Sequence, residues 1–380
     1  MKIRTLLTCI LLSLLMVSCR QAREKTIVPI ETVLETNLMR HARNVVVENA
    51  PYGYLMEVKN PWDSTASLGQ FALVKDTMAE VPEGITVIHT PIRSAISFSA
   101  TQWSVFMRLG EIGKIKGVLE GRYVSDSSMR ALLASGVVLD LGTESAADIE
   151  HMIEVQPDIM MYSPYFDANH DAFKVTGAVM FPFADYLENT PLGRAEWIRV
   201  VGMLAGVEEE ADAWFDQIEA RYNALSTLCE NVEARPTVFS DKAFNGQWYV
   251  AGGQSYIARL FKDAGADYVW KDDVSTASFP LDAETILSKA QNAVFWRITN
   301  SAAQPINYDV LGRENPIYSL FDAYKNHKVI VCDTQLTGYF EQSQCEPDLL
   351  LADFIHFFHP EVMTGEWAGY QPKYYHWLAE

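Results

Sequence analysis

The stretch Gly136–Phe183, GVVLDLGTESAADIEHMIEVQPDIMMYSPYFDANHDAFKVTGAVMFPF, decides the fold class. Its first apolar run ends at Asp140-Leu141-Gly142 and reads as a buried strand stopped by a glycine. Apolar residues at 149, 152, 153 and 155 then make one face of a short helix over 147–155. Pro157 ends that helix, and Asp158–Tyr162 resumes as a second apolar strand. A polar and aromatic loop and a short helix follow before Ala178–Phe181 starts a third strand. Strand, helix, strand, helix, strand at this spacing predicts parallel βαβ units covered by helices on both faces.

In open sheets of this kind a ligand meets the loops at the carboxyl ends of the strands. Those loops are 142–147, 162–171 and 183–190, and they carry Tyr162, Tyr165, Phe166, Phe183 and Tyr186. A single ring beside a strand is ordinarily core packing. A cluster on successive loops favours a site.

Leu141-Gly142-Thr143, the acid-flanked helix and Gln156-Pro157-Asp158-Ile159-Met160 resemble the core of one large family. It comprises the substrate-binding proteins of ABC importers for iron–siderophore complexes, haem and vitamin B12. Thr190–Trp197 (TPLGRAEW) and Gly252–Tyr256 (GGQSY) are similar to later blocks of that family, so the resemblance runs over about residues 85–360. It implies an α/β fold of two parallel-sheet, Rossmann-like lobes, a rigid helix joining them, a ligand cleft between them and little lobe closure.

On that frame residues 1–19 are a lipoprotein signal peptide and 20–80 a tether with a small β meander. Residues 81–189 are the first lobe, 190–206 the connecting helix and 207–380 the second lobe. Lys2 and Arg4 precede the apolar Leu6–Val17, too short to span a bilayer with comfort. Leu15-Met16-Val17-Ser18-Cys19 resembles a bacterial lipobox, which makes Cys19 the lipidated residue and acyl chains the membrane anchor. Turn residues at Asn49–Gly53 and Asn60–Asp63 separate the strands of the meander.

Composition closes off other classes. The 380 residues carry a net charge of −19, which argues against a nucleic-acid partner. No GxSxG, HExxH, kinase or phosphate-loop signature is present, so no catalytic residue and no cofactor is assigned. The eight histidines are scattered and no Cys/His cluster suggests a metal site. Loss of the signal would leave Cys229, Cys332 and Cys345, with pairing of the last two open.

Along the chain, Ile85–His89 reads as the first parallel strand, Ala95–Leu109 as the helix after it and Ile115–Leu119 as the next strand. Arg93 and Arg122 then follow strand ends, where guanidinium suits an anionic chelate. The second lobe repeats the pattern, with strands at Thr237–Ser240, Ala293–Ile298 and Lys328–Cys332 and an extended stretch at Gln247–Val250. A large, flat, partly apolar chelate calls for aromatic faces and a few cations. The ligand-binding set is therefore Arg93, Tyr123, Tyr162, Tyr165 and Tyr186 in the first lobe, with Trp248, Tyr249, Trp296, Arg297 and Tyr339 in the second. The resemblance implies one docking carboxylate per lobe for the ABC permease: Asp167 or Asp171, and Asp309 or Glu314.

The sequence thus reads as a monomeric, exported lipoprotein with a small-molecule metal chelate, an ABC permease and its ATPase as partners. An iron complex is preferred over a corrinoid or haem. The rival readings are an exported chelate-processing enzyme on the same scaffold and a surface lipoprotein without a permease.

Overall fold

Two parallel sheets carry the architecture. In the computed structural model the described residues are 37–75, 80–165, 170–302 and 304–380, and Leu38–Glu380 form one unit. Cys19, Phe166 and Asp167 lie outside the described residues.

The first sheet runs Val179–Pro182, Ile159–Tyr162, Ala95–Ser97, Ile115–Val118, Leu139–Asp140, every pair parallel. Its strands are short and mostly buried, as a sheet covered on both faces requires. Local chemistry sets the crossovers. Asp148 caps the helix Ile149–Val155 by accepting from the His151 N–H, and Asp126 caps Ser127–Ala134 through the Met129 N–H at 2.8 Å. The second sheet runs Asp267–Tyr268, Thr237–Ser240, Phe295–Asn300, Val329–Asp333, again parallel, with His376–Trp377 antiparallel at its edge. The fold is therefore the mixed α/β, two-lobed one that the sequence predicts.

The connection between lobes begins with Thr190, whose hydroxyl accepts the Gly193 N–H at 3.0 Å, and Pro191 at the first helical position. It is two helices rather than one, Pro191–Ala195 and Trp197–Ala205, with Glu196 between them. Glu196 is wholly buried. Its carboxylate accepts the backbone N–H groups of Arg40 (2.7 Å), His41 (2.7 Å) and Ala42 (2.8 Å), and Arg199 Nη1 at 3.1 Å. Glu188 does the same one step further on, taking the N–H groups of Arg43 and Asn44 and the Trp197 indole. Two buried acids thus tie the arm 40–44 to the connection.

The strand expected to open the first lobe belongs elsewhere. Thr86–His89 pairs parallel with Ser67–Val74, completing a four-stranded sheet with Val45–Ala50 and Gly53–Lys59. Phe71 of that sheet packs on Phe181 at 5.0 Å, so the sheet stands against the edge strand of the first lobe. The lobe's own strand is Ala95–Ser97, and its helix is only Ala100–Arg108. Three residues in a strand are too few for periodicity to separate from the start of a helix.

Cys229, Cys332 and Cys345 are buried and unpaired, so Cys332 and Cys345 are not bridged. Burial pushes the thiols of Cys229 and Cys332 up to about 11 and that of Cys345 to about 12. At pH 8 all three are protonated, and only thiolates attack disulfide reagents. A soluble form starting after Cys19 should show no rapid thiol reaction with a colorimetric disulfide reagent when native. All three should react once it is denatured; a fast native thiol would contradict the packing.

Candidate functional site

The carboxyl ends of both sheets face one seam beside the connection. From the first lobe come Ser99 after Ser97, Glu120–Tyr123 after Val118, Ser163–Tyr165 after Tyr162, and Asp185–Tyr186 after Pro182. From the second come Asp241–Phe244 after Ser240 and Thr334–Phe340 after Asp333. Large apolar or aromatic side chains stand exposed on these loops: Tyr123, Tyr165 and Tyr186 on one side, Phe244, Leu336 and Phe340 on the other. Tyr249, on the strand Gln247–Val250, is exposed with them. Exposed rings grouped about a cleft are unlike the scattered apolar residues of an ordinary surface.

Tyr165 is held by Glu144, which accepts its hydroxyl at 3.2 Å and the His170 imidazole at 3.0 Å. The Glu144 carboxylate raises the Tyr165 phenol above its usual range. Tyr186 donates to the Pro164 carbonyl, so its ring leans over the neighbouring loop. Tyr162 is half-buried behind them with its ring 4.1 Å from His170. Arg122 lies over the Tyr123 ring at 4.7 Å, and both line a cavity of about 480 Å³ shared with Gln335, Leu336 and Gly338 of the other lobe.

Beneath the rim lies a polar floor. Arg194, from the connection, places Nε 3.2 Å from Asp185 Oδ2 and its guanidinium 5.4 Å over the Tyr256 ring. Arg297, nearly wholly buried, gives Nε to the Tyr375 hydroxyl at 2.8 Å and Nη1 to Asp241 at 2.8 Å. Tyr339 stands edge-on to Tyr374 and Tyr375 at 5.9 and 6.5 Å. Burial pushes the Asp185 carboxyl upward while Arg194 draws it back.

Contacts across the seam hold the lobes together. Glu341 accepts the Ser125 N–H (2.6 Å), the Ser125 hydroxyl and the Asp126 N–H (3.2 Å). Gln344 donates to Ser104 Oγ at 2.7 Å, and Glu346 pairs across the seam with Arg108.

Three of the expected ligand residues lie away from the exposed rim of the seam. Arg93 precedes Ala95–Ser97, at the amino edge of the sheet, and pairs with Asp158 at the amino end of Ile159–Tyr162. Trp248 and Trp296 are interior, 5.8 Å apart and packed with Phe239, Tyr318 and Phe321. Their indoles donate to the carbonyls of Ser240 and Asp241, so they shape the loop instead of facing a ligand. Arg297 and Tyr339 are buried in the floor, below the exposed rings. Sequence reading did not single out Phe244, Leu336 and Phe340, exposed on the second-lobe loops, or Arg194 and Tyr256, packed together beside the connection. Arg194 and Tyr256 stood in the quoted blocks TPLGRAEW and GGQSY; the loop rings carried no periodic signal.

Among the described residues no group of three or more His, Cys, Asp or Glu is arranged to hold a metal ion, and no helix is long and apolar enough to cross a membrane. Of the docking carboxylates, Asp171 pairs with Lys174 at 2.6 Å, Glu314 with Lys242 at 2.5 Å, and Asp309 is exposed.

Residues 113–336 match the profile of the family described as periplasmic binding protein. An uncharacterised lipoprotein of Methanocaldococcus jannaschii is 26% identical over 96% of this chain and 94% of its own length. A cobalamin-binding protein of Halobacterium salinarum is 24% identical, covering 74% of this chain and 71% of its own. The crystal structure of a periplasmic haem-binding protein from Pseudomonas aeruginosa shares the fold, with a TM-score of 0.56 and 17% identity over 71% of this chain and 94% of that one.

Proposed function

This chain belongs to the periplasmic binding protein family, and from that premise we propose that it captures a metal chelate, in first place an iron complex, and delivers it to an ABC permease. The family is one of substrate-binding transport proteins, not of enzymes. The observation that supports the reading is the set of exposed rings on loops that follow strands of both sheets, Tyr165 and Tyr186 in the first lobe and Phe244 and Phe340 in the second. Flat, partly apolar ligands bury well against rings, and a few polar groups fix their orientation. A corrinoid is the second reading, favoured by the name of the Halobacterium salinarum relative.

The export route is part of the proposal: a signal over 1–19, lipidation at Cys19 and a monomer held at the periplasmic side of a membrane or at the cell surface. Relatives named lipoproteins support it.

The test is titration of the soluble form with ferric siderophores, haem and cobalamin, read by equilibrium dialysis. One-to-one saturation by one chelate, without product, is expected. Binding of none, by a folded protein, would sink the carrier reading.

Docking through one carboxylate per lobe is proposed for Asp171 and Asp309, both exposed, Asp309 having no ion pair among the described residues. Glu314 is the weaker choice because Lys242 already neutralises it. Reversing charge at Asp171 and Asp309 together should cut uptake in cells about tenfold or more while chelate affinity stays within about twofold, since rim charges steer association more than they hold ligand. A parallel loss of affinity would refute the assignment.

A further inference from the structure

Four charged side chains line the cavity of about 480 Å³ between the lobes: Arg122, Arg130, Asp126 and Glu341. The two acids are already engaged within the protein. Glu341 is buried and accepts the Ser125 and Asp126 N–H groups and the Ser125 hydroxyl. Asp126 caps the helix Ser127–Ala134 by accepting the Met129 N–H. Both carboxylates therefore sit at the amino end of that helix, where its dipole favours their charge. The two arginines are exposed. Among the described residues the Arg130 side chain has no hydrogen bond or ion pair. Arg122 has one ion pair, Nη2 to Glu120 at 3.1 Å, and both of its partners reach solvent. An exposed pair of this kind is worth little in water, so it yields to a better-placed anion.

A lone exposed arginine is ordinarily solvated. Two that line one cavity, beside acids that are already engaged, offer guanidinium donors to whatever enters it. Arg130 comes from a helix, not from a rim loop, and the fold alone brings it to the space that Arg122 lines. The exposed Tyr123 ring under Arg122 and the exposed Leu336 of the other lobe add apolar surface to the same cavity. The combination suits a partly apolar body with anionic groups at its edge, because guanidinium takes a carboxylate through two parallel N–H bonds. Local cations also offset the repulsion that a chain of net charge −19 exerts on an anion. We propose that Arg122 and Arg130 form an anion subsite of this cavity and select a chelate whose edge carries carboxylates over a neutral or cationic one. The proposal rests on the chelate-carrier reading and narrows the ligand class. Carboxylates come from the propionate edge of haem or from the citrate of a ferric citrate complex. Ferrioxamine B instead carries a cationic amine, and cyanocobalamin presents carboxamides.

The experiment is equilibrium dialysis of the soluble form, at low and raised salt, with haemin, ferric citrate, ferrioxamine B and cyanocobalamin. Haemin is also set against its neutral bis-amide. A carboxylate-bearing chelate should bind, and which one binds names the source. Arg130→Gln should weaken it about tenfold, the size of one charge-assisted hydrogen bond, and Arg122→Gln should do the same. Arg130→Lys keeps the charge without the planar fork and should recover part of the loss. Where haemin binds, its bis-amide should bind at least about tenfold more weakly, and the double variant Arg122→Gln, Arg130→Gln should close that gap. Raised salt should weaken the parent more than the double variant, since exposed charges are screened. Both side chains are exposed, so the variants should keep the parent's circular dichroism. Preferred binding of ferrioxamine B or cyanocobalamin, or a carboxylate-bearing chelate held equally well by the double variant, would overturn the proposal with the carrier reading intact. Absence of binding by every chelate would overturn both.

Discussion

Glu196→Ala should destabilise the protein by about 3–5 kcal/mol, the cost of breaking a buried, fully engaged carboxylate. Three backbone N–H groups, of Arg40, His41 and Ala42, lose their acceptor inside the protein, and Arg199 loses one of its partners. Each stranded donor costs about 1–3 kcal/mol when water cannot reach it. The arm that these bonds fix leads straight into the four-stranded sheet, so its release should loosen that sheet first. Urea unfolding followed by circular dichroism measures the loss, and amide exchange at 40–42 locates it. Glu196→Gln, which keeps the shape and one acceptor oxygen, should lose less. A variant within about 1 kcal/mol of the parent, against the expected range, would show that the arm is held by something else.

Removing one exposed ring from each side of the seam should abolish most chelate affinity without touching stability. Tyr165→Ala and Phe244→Ala together are expected to weaken binding about a hundredfold, because rings buried on binding are the usual anchors of a recognition site. Both side chains are at least half exposed in the protein alone, so their loss removes little packing. Trp248→Phe is the control: it perturbs the interior stack around Phe239 and should act on stability before affinity. An unchanged affinity in the double variant would remove the rim from the binding surface.

The succession of strands and helices in Gly136–Phe183 is legible because each fills its own window, while the sheet order is not, since Ala95–Ser97 and Ile115–Val118 come from outside the stretch and stand between its strands. Leu139–Asp140, Ile149–Val155 and Ile159–Tyr162 fall inside the expected segments, and Val179–Pro182 overlaps the expected Ala178–Phe181 by all but its last residue. What failed was partnership. The apolar run Ile85–His89 looks like any parallel strand, and nothing local says which sheet receives it. Arg93 reads as a cleft residue only if Ile85–His89 belongs to the first lobe's sheet; it lies on the opposite edge.

The rings show a second limit. On Gln247–Val250 the burial alternates, Trp248 inward and Tyr249 outward, so period-two reasoning alone already separates the two. Taken as a set of aromatics, they looked equivalent. Glu188 and Glu196 were unreadable for a different reason. An acid on a helix is ordinarily solvated, and only the folded arm 40–44 turns these two into buried acceptors.

That arm also imposes an order of events. Residues 40–44 are made first, yet their acceptors Glu188 and Glu196 follow 144–156 positions later. A chain emerging from its amino end therefore carries its opening segment unsettled until the connection has appeared. A nascent chain cut short before Glu188 should leave that segment open to protease, and one extended past Trp197 should protect it.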